Sequence, residues 1–195
     1  PDYISAKKMR ENYEGNVFSP MGCRSFLPEF RDADGQRKTM GRFNQGVCSI
    51  NLPRLAIMAE GSEERFYELL KQALDLSREV LMFRHNKIKG TQAKQAPVLY
   101  QYGAIARMDG EDLIDPLLFG GYSTISLGYA GLYECVKYMT GHSHTEPEAT
   151  PFALEVMQHM NDACAGWKKE HNIDFSLYGT PLESTTYKFA KCLQQ

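Results

Sequence analysis

The sequence predicts an α/β fold. Two observations carry the prediction: short β-rich stretches alternate with amphipathic helical stretches, and glycines and prolines mark many of the junctions between them. The composition adds a third. Of 195 residues, 43% are hydrophobic and 24% charged, ordinary for a chain that buries a core. A formal net charge of -2 leaves no excess of Lys and Arg to follow nucleic-acid phosphates or an anionic membrane surface. No apolar run approaches the roughly 18–20 residues that cross a bilayer. No signal-peptide pattern opens the chain, no repeat or low-complexity tract interrupts it, and its scattered cysteines read as the reduced thiols of a cytoplasmic protein.

Taken in order, residues 5–13 read as a short helix broken by Gly15, and 17–18 as a brief strand. Residues 19–42, which include Asp34-Gly35, are rich in turn formers and read as one long loop. Loops of that length in compact domains commonly carry function. A strand is expected at 46–52. Ser62 is a plausible N-cap for a long helix, with Glu63 and Glu64 placed favourably against its dipole. Phe66, Leu69, Leu70, Ala73, Leu74, Val80 and Leu81 then form one buried stripe. The basic residues of 78–89 read as a solvated face.

A third strand is expected at 122–127, running through Gly128 and Gly131 into an amphipathic helix that stops at Gly141. Thr150 as N-cap and Pro151 at the first helical position open a helix to about Lys169. The last strand, 174–177, runs into Gly179-Thr180-Pro181-Leu182-Glu183-Ser184-Thr185 and a final helix. The first residue is not Met, and residues 189–193 carry no helix stop signal. An internal piece of a longer polypeptide is therefore expected.

Four groups of residues have chemistry to offer. The turn 179–185 joins a strand to a helix N-terminus, where free N–H groups and the hydroxyls of Thr180, Ser184 and Thr185 can hold an anion, best a phosphate. Ser184 or Thr185 serving only as a helix cap is the competing reading. The second group is Met21-Gly22-Cys23-Arg24-Ser25, which sets a thiol after a glycine in the long loop. The third is Gly41-Arg42-Phe43-Asn44-Gln45-Gly46, whose amides suit either a polar ligand or a turn. His142-Ser143-His144 is the fourth; with no third ligand evident it reads as a loop cap, and no metal site is assigned. The five cysteines, Cys23, Cys48, Cys135, Cys164 and Cys192, include no C-x-x-C pair and read as reduced thiols.

Read together, P-M-G-C-R-S-F-L at 20–27, G-R-F-N-Q-G at 41–46, S-I-N-L-P at 49–53, G-Y-S-T-I-S-L-G-Y-A-G-L-Y-E at 121–134 and Y-G-T-P-L-E-S-T at 178–185 resemble the catalytic subunit of the anaerobic (class III) ribonucleoside-triphosphate reductases. The likeness runs over essentially the whole chain. It implies part of a ten-stranded α/β barrel of the ribonucleotide reductase and glycyl radical enzyme type, with a finger loop at about 19–42. It implies that Cys23 becomes a thiyl radical that takes the ribose 3′-hydrogen, after which the 2′-hydroxyl leaves as water. Asn44 matches the asparagine that binds substrate hydroxyls, Ser25 lies beside the radical cysteine, and Gly179, Thr180, Pro181, Leu182, Glu183, Ser184 and Thr185 match the phosphate-binding turn.

The resemblance also implies what other segments supply. The glycyl radical, a four-cysteine structural zinc site and an N-terminal ATP-cone have no counterpart motif in residues 1–195. Formate is the implied reductant. A radical activase carrying an iron–sulfur cluster and using S-adenosylmethionine is an implied partner, as are ATP, dATP and other dNTP effectors and a second copy in a homodimer. By itself the 195-residue chain is expected to be inactive. The competing hypotheses are a free-standing nucleotide-binding or regulatory protein without catalysis, and an unrelated thiol-dependent α/β enzyme.

Overall fold

The computed structural model describes residues 6–12, 14–15, 20–22, 25–26, 30, 35, 37, 42–180 and 183–193. Its centre is a three-stranded parallel sheet in the order β3-β4-β5, formed by Phe43–Asn51, Ser123–Ala130 and Asp174–Gly179. Before it come helix α1 (Ala6–Asn12) and an antiparallel pair, β1 (Pro20–Gly22) with β2 (Ser25–Phe26). Helices α2 (Leu52–Ala59) and α3 (Glu63–Ile88) follow β3. A single turn, α4 (Pro97–Tyr100), lies in the irregular stretch before β4. Helices α5 (Leu132–Thr140) and α6 (Thr150–His171) connect β4 to β5, and α7 (Glu183–Cys192) ends the described chain. Strand–helix–strand alternation of this kind brings successive strands together in parallel.

Helices α2, α3, α5 and α6 share one core with the sheet. Ile50, Ile125, Leu127 and Phe175 project from the strands onto Leu52, Phe66, Leu70, Val136, Met160 and Trp167. Each buried aliphatic or aromatic side chain there is worth roughly 1.5–3 kcal/mol against exposure. A smaller cluster, Ala93, Tyr100, Ile114, Leu117 and Leu118, organises the irregular stretch ahead of β4.

Several expectations are corrected. The buried stripe of α3 runs Phe66, Leu69, Leu70, Leu74, Ser77, Leu81 and His85, while Val80 is 41% exposed. Spacings of four and three residues hold one helix face, and Val80 stands about 100° away from Leu81 on the helical wheel. The basic stretch is not only a solvated face either, because His85 is fully buried and Arg84 reaches the carbonyls of β3. Thr150 is the first helical residue and not the cap; its hydroxyl donates to the carbonyls of His144 and Glu146. The β1–β2 pair shows that the stretch read as one loop contains regular pairing. The strand expected at 17–18 lies outside the described residues.

The third strand starts three residues earlier than expected and is bulged. Asn44 pairs with Thr124 and Val47 with Ser126, so Gln45 and Gly46 together face the single residue Ile125. Gly46 has φ 138°, a conformation that excludes ordinary side chains. The extra residue resets the alternation of β3. In a regular strand Asn44 and Ser49, five positions apart, would face opposite sides; here both lie on the face turned away from the helices.

Candidate active site

That second face is polar. Across the strands it carries Asn44, Val47 and Ser49 from β3, Thr124, Ser126 and Gly128 from β4, and Asp174 and Ser176 from β5. Parallel strands buried on both sides normally read as near-continuous hydrophobic runs. Thr124, Ser126 and Asp174 are nevertheless fully buried, and each has a polar partner.

In the middle of the face the Asn44 amide donates to Ser126 Oγ at 2.5 Å, and Ser126 Oγ lies 3.0 Å from Ser176 Oγ. The backbone N–H of Gly46 donates to Asn44 Oδ1 at 2.8 Å. The amide is thus fixed at both ends. Among the described residues this leaves one of its N–H groups and one lone pair of its oxygen for another partner.

Toward the C-terminal ends of the strands, Ser49 Oγ and Thr180 Oγ1 meet at 2.6 Å above Gly128. A Cβ on Gly128 would lie 2.5 Å from Thr180 Oγ1 and 2.8 Å from Val47 Cγ2, so glycine is required for the hydroxyls to meet there. Thr180 also donates its N–H to the Tyr129 carbonyl at 3.1 Å. Thr180 is therefore an anchor of the turn, and its N–H and hydroxyl are engaged within the fold. At the opposite end, Arg42 donates to Asp174 at 2.6 Å and to the Gly121 carbonyl at 2.7 Å, and Lys168 lies 2.8 Å from the other Asp174 oxygen.

The helix-side face carries a second polar set behind Asn44. The Gln45 amide nitrogen hydrogen-bonds Ser123 Oγ and lies 3.1 Å from His85 Nδ1. His85 packs edge-on against Phe119, and burial, then Lys89 and His171, lower its pKa to about 4.

Of the residues singled out in the sequence, Asn44 and Thr180 are placed on the polar face. Gly179 closes β5, Glu183 opens α7, and Ser184 and Thr185 follow in its first turn, Ser184 exposed. Ser25 lies in β2. Cys23, between β1 and β2 in sequence, and Pro181 and Leu182 lie outside the described residues. The asparagine segment is a bulged strand and not the turn before a strand. Sequence reading missed Ser49, Ser126, Ser176 and the Arg42–Asp174 pair. The available signal was T-I-S-L at 124–127, where hydroxyls alternate with aliphatic residues in an expected strand.

The turn after α5 is also corrected. His142, Glu146 and Glu148 bring ligand atoms within 4.8 Å of one another, so a third group of the right kind exists, although His144 is not part of it. All three are exposed. Glu146 takes the Ser143 N–H at 2.7 Å and lies 3.1 Å from His142 Nδ1, and these bonds hold its pKa low. The turn caps itself.

This parallel α/β sheet has helices on one face and, on the other, a partly buried row of amide and hydroxyl groups that can donate and accept hydrogen bonds. The family model for anaerobic ribonucleoside-triphosphate reductase matches residues 1–195, and the chain belongs to that family. It is 36% identical over 180 residues to the anaerobic ribonucleoside-triphosphate reductase of Escherichia coli (strain K12), covering 91% of this chain and 25% of the relative. Against the reductase of Enterobacteria phage T4 the identity is 39% over 197 residues, 98% of this chain and 31% of the relative. The chain thus spans between a quarter and a third of the curated relatives it matches.

Among solved structures, the anaerobic ribonucleotide reductase from Thermotoga maritima with citrate in the active site superposes with a TM-score of 0.60 at 17% identity, over 85% of this chain and 29% of that one. The same enzyme with glycerol in the active site gives 0.55 at 18% identity, over 74% and 23%. These likenesses bear on the fold.

Proposed function

We propose that the complete protein reduces ribonucleoside triphosphates to 2′-deoxyribonucleoside triphosphates under anaerobic conditions, and that this chain supplies the substrate platform. The observation that carries the reading is the half-buried Asn44 amide, fixed by Gly46 and Ser126 on the polar face with hydrogen-bonding capacity to spare. A site built to hydrogen-bond a substrate hydroxyl discriminates strongly against analogues that lack it. Asn44 binds the ribose hydroxyls, and the turn from Gly179 to Thr185 receives the phosphates at the start of α7, where unpaired N–H groups and the helix dipole favour anions. Thr180 anchors that turn through Ser49.

In this reading residues 19–42 form the finger loop of a ten-stranded barrel, to which β3, β4 and β5 contribute, and Cys23 is the thiyl radical beside Ser25. It takes the 3′-hydrogen, the 2′-hydroxyl leaves as water, and formate, oxidised to carbon dioxide, supplies the reducing equivalents. The glycyl radical, the zinc site, the ATP-cone and the effector sites for ATP, dATP and other dNTPs belong to other segments of the complete protein. Among the described residues no four-thiolate set exists to hold a zinc ion; Cys135 and Cys164 are buried in the core. The activase with its iron–sulfur cluster and S-adenosylmethionine, and a second copy of the chain, are the partners of that complete protein.

Cys23→Ser in the complete protein tests the proposal. Anaerobic reduction is expected to vanish while nucleotide binding is retained; deoxynucleotide formation by the variant refutes the assignment.

A further inference from the structure

The bulge in β3 has a buried support behind it. Gln45 projects to the helix side, opposite Asn44, and its amide is held between Ser123 Oγ and His85 Nδ1. His85 is fully buried and Ser123 is fully buried, so the Gln45 amide is held by groups that have no competing water. Arg84, the neighbour of His85 on α3, brackets the bulge from outside, donating to the carbonyls of Gln45 and Val47 at 3.4 Å each. Gly46, between those two carbonyls, holds the positive φ and sends its N–H to Asn44 Oδ1. The orientation of the Asn44 amide is thus set by backbone geometry that α3 and β4 lock from the far side of the sheet.

We infer that Gln45 and His85 are positioning residues for Asn44: they pin the Gln45-Gly46 bulge and thereby aim the amide at the substrate hydroxyls. This rests on the reading of Asn44 as a hydroxyl-binding residue and adds the device that holds it. A bulge can slip, because an unpinned extra residue migrates along its strand or relaxes into regular pairing. Either change turns Asn44 away from Ser126. Misplacement of a positioning group by about 1 Å is enough to cost up to about a hundredfold in rate.

The test is a double-mutant cycle in the complete, activated protein, with ribonucleoside triphosphate and its 2′-deoxy and 3′-deoxy analogues as probes. Gln45→Leu is expected to lower kcat/KM about tenfold and to weaken discrimination against the analogues, with far-UV circular dichroism unchanged. In an Asn44→Ala background the same substitution should add nothing, since the group it positions is gone. His85→Phe should behave alike, and His85→Asn, which returns a polar atom toward Gln45, should recover most of the loss. If Gln45→Leu does not fold, Gln45→Asn, too short to reach both partners, repeats the cycle. Additive losses in the double variant, or wild-type kcat/KM for Gln45→Leu, overturn the inference and leave the role of Asn44 standing. Undiminished kcat/KM for Asn44→Ala overturns the reading of Asn44, and the inference with it.

Discussion

Ser49 and Thr180 hydrogen-bond at 2.6 Å although an entire strand separates the segments that carry them. Ser49 lies in β3 and Thr180 directly after β5, with β4 between. Strands two apart in a sheet are separated by nearly 10 Å. The two short side chains span that gap only because β4 presents Gly128 beneath them. The contact ties the beginning of the 179–185 turn to the far strand.

Gly128→Ala should therefore break the tie without removing either hydroxyl. The new Cβ lies too close to Thr180 Oγ1 and Val47 for the present packing to survive. Overpacking of this kind costs about 1–3 kcal/mol. In the complete protein KM for the triphosphate is expected to rise more than kcat falls, because the disturbed turn is the proposed phosphate site. Steady-state kinetics on nucleoside triphosphate and diphosphate, together with urea denaturation, check both parts.

Asp174 is fully buried and faces both Arg42 and Lys168. Asp174→Asn keeps the shape and removes the buried carboxylate that faces both Lys168 and Arg42, whose side chain is only 4% exposed. Removing one member of a buried pair typically costs about 3–5 kcal/mol. Denaturant midpoints should fall accordingly. Arg65→Ala, which breaks an exposed pair with Glu68, should leave the unfolding free energy within about 0.5 kcal/mol of the parent.

His85 gives the region an acid-side weakness. Its pKa in the fold is about 4, below the ordinary value of 6.5, because burial penalises the charged ring. The unfolded chain binds a proton more readily between those values. Stability from this group is therefore complete above about pH 6.5 and is lost as the pH falls toward 4. His85→Phe should flatten that part of the stability profile, as measured by denaturant titrations from pH 4 to 7.5.

Burial pushes the Cys135 and Cys164 thiols up to about 12, whereas Cys192 is exposed. Iodoacetamide at pH 8 should modify Cys192 and spare the other two until the protein is unfolded, as read by peptide mass mapping.

The long elements were legible because their signals are local and redundant. Ser62 caps α3 as its sequence suggests, with its side chain accepting from the Arg65 N–H at 3.2 Å, and Gly141 ends α5 with φ 80°. What escaped depends on contacts distant in sequence. Gly46 beside Gln45 is compatible with a bulge, but the groups that hold it, Ser123 on one side and His85 on the other, are distant in sequence. Short α2 was missed since Asn51 caps it directly from the end of a strand, with no loop between. The stretch before β4 has its own small core but little periodic structure, so no pattern marked Leu117 and Leu118 as buried. The candidate site divides similarly: the residues proposed to bind follow from resemblance, while the hydroxyls that hold Asn44 emerge only once three strands lie side by side.

The row Asn44, Ser126 and Ser176 has one more consequence. Amides and aliphatic hydroxyls neither gain nor lose a proton at any pH where the fold survives. This part of the face can direct hydrogen bonds, but it cannot act as an acid or a base. In the proposed reaction, a proton delivered to the departing 2′-hydroxyl must therefore come from a group outside this row. The pH-rate profile of the complete protein should accordingly carry no inflection that Ser126→Ala or Ser176→Ala removes, although both variants lower its height.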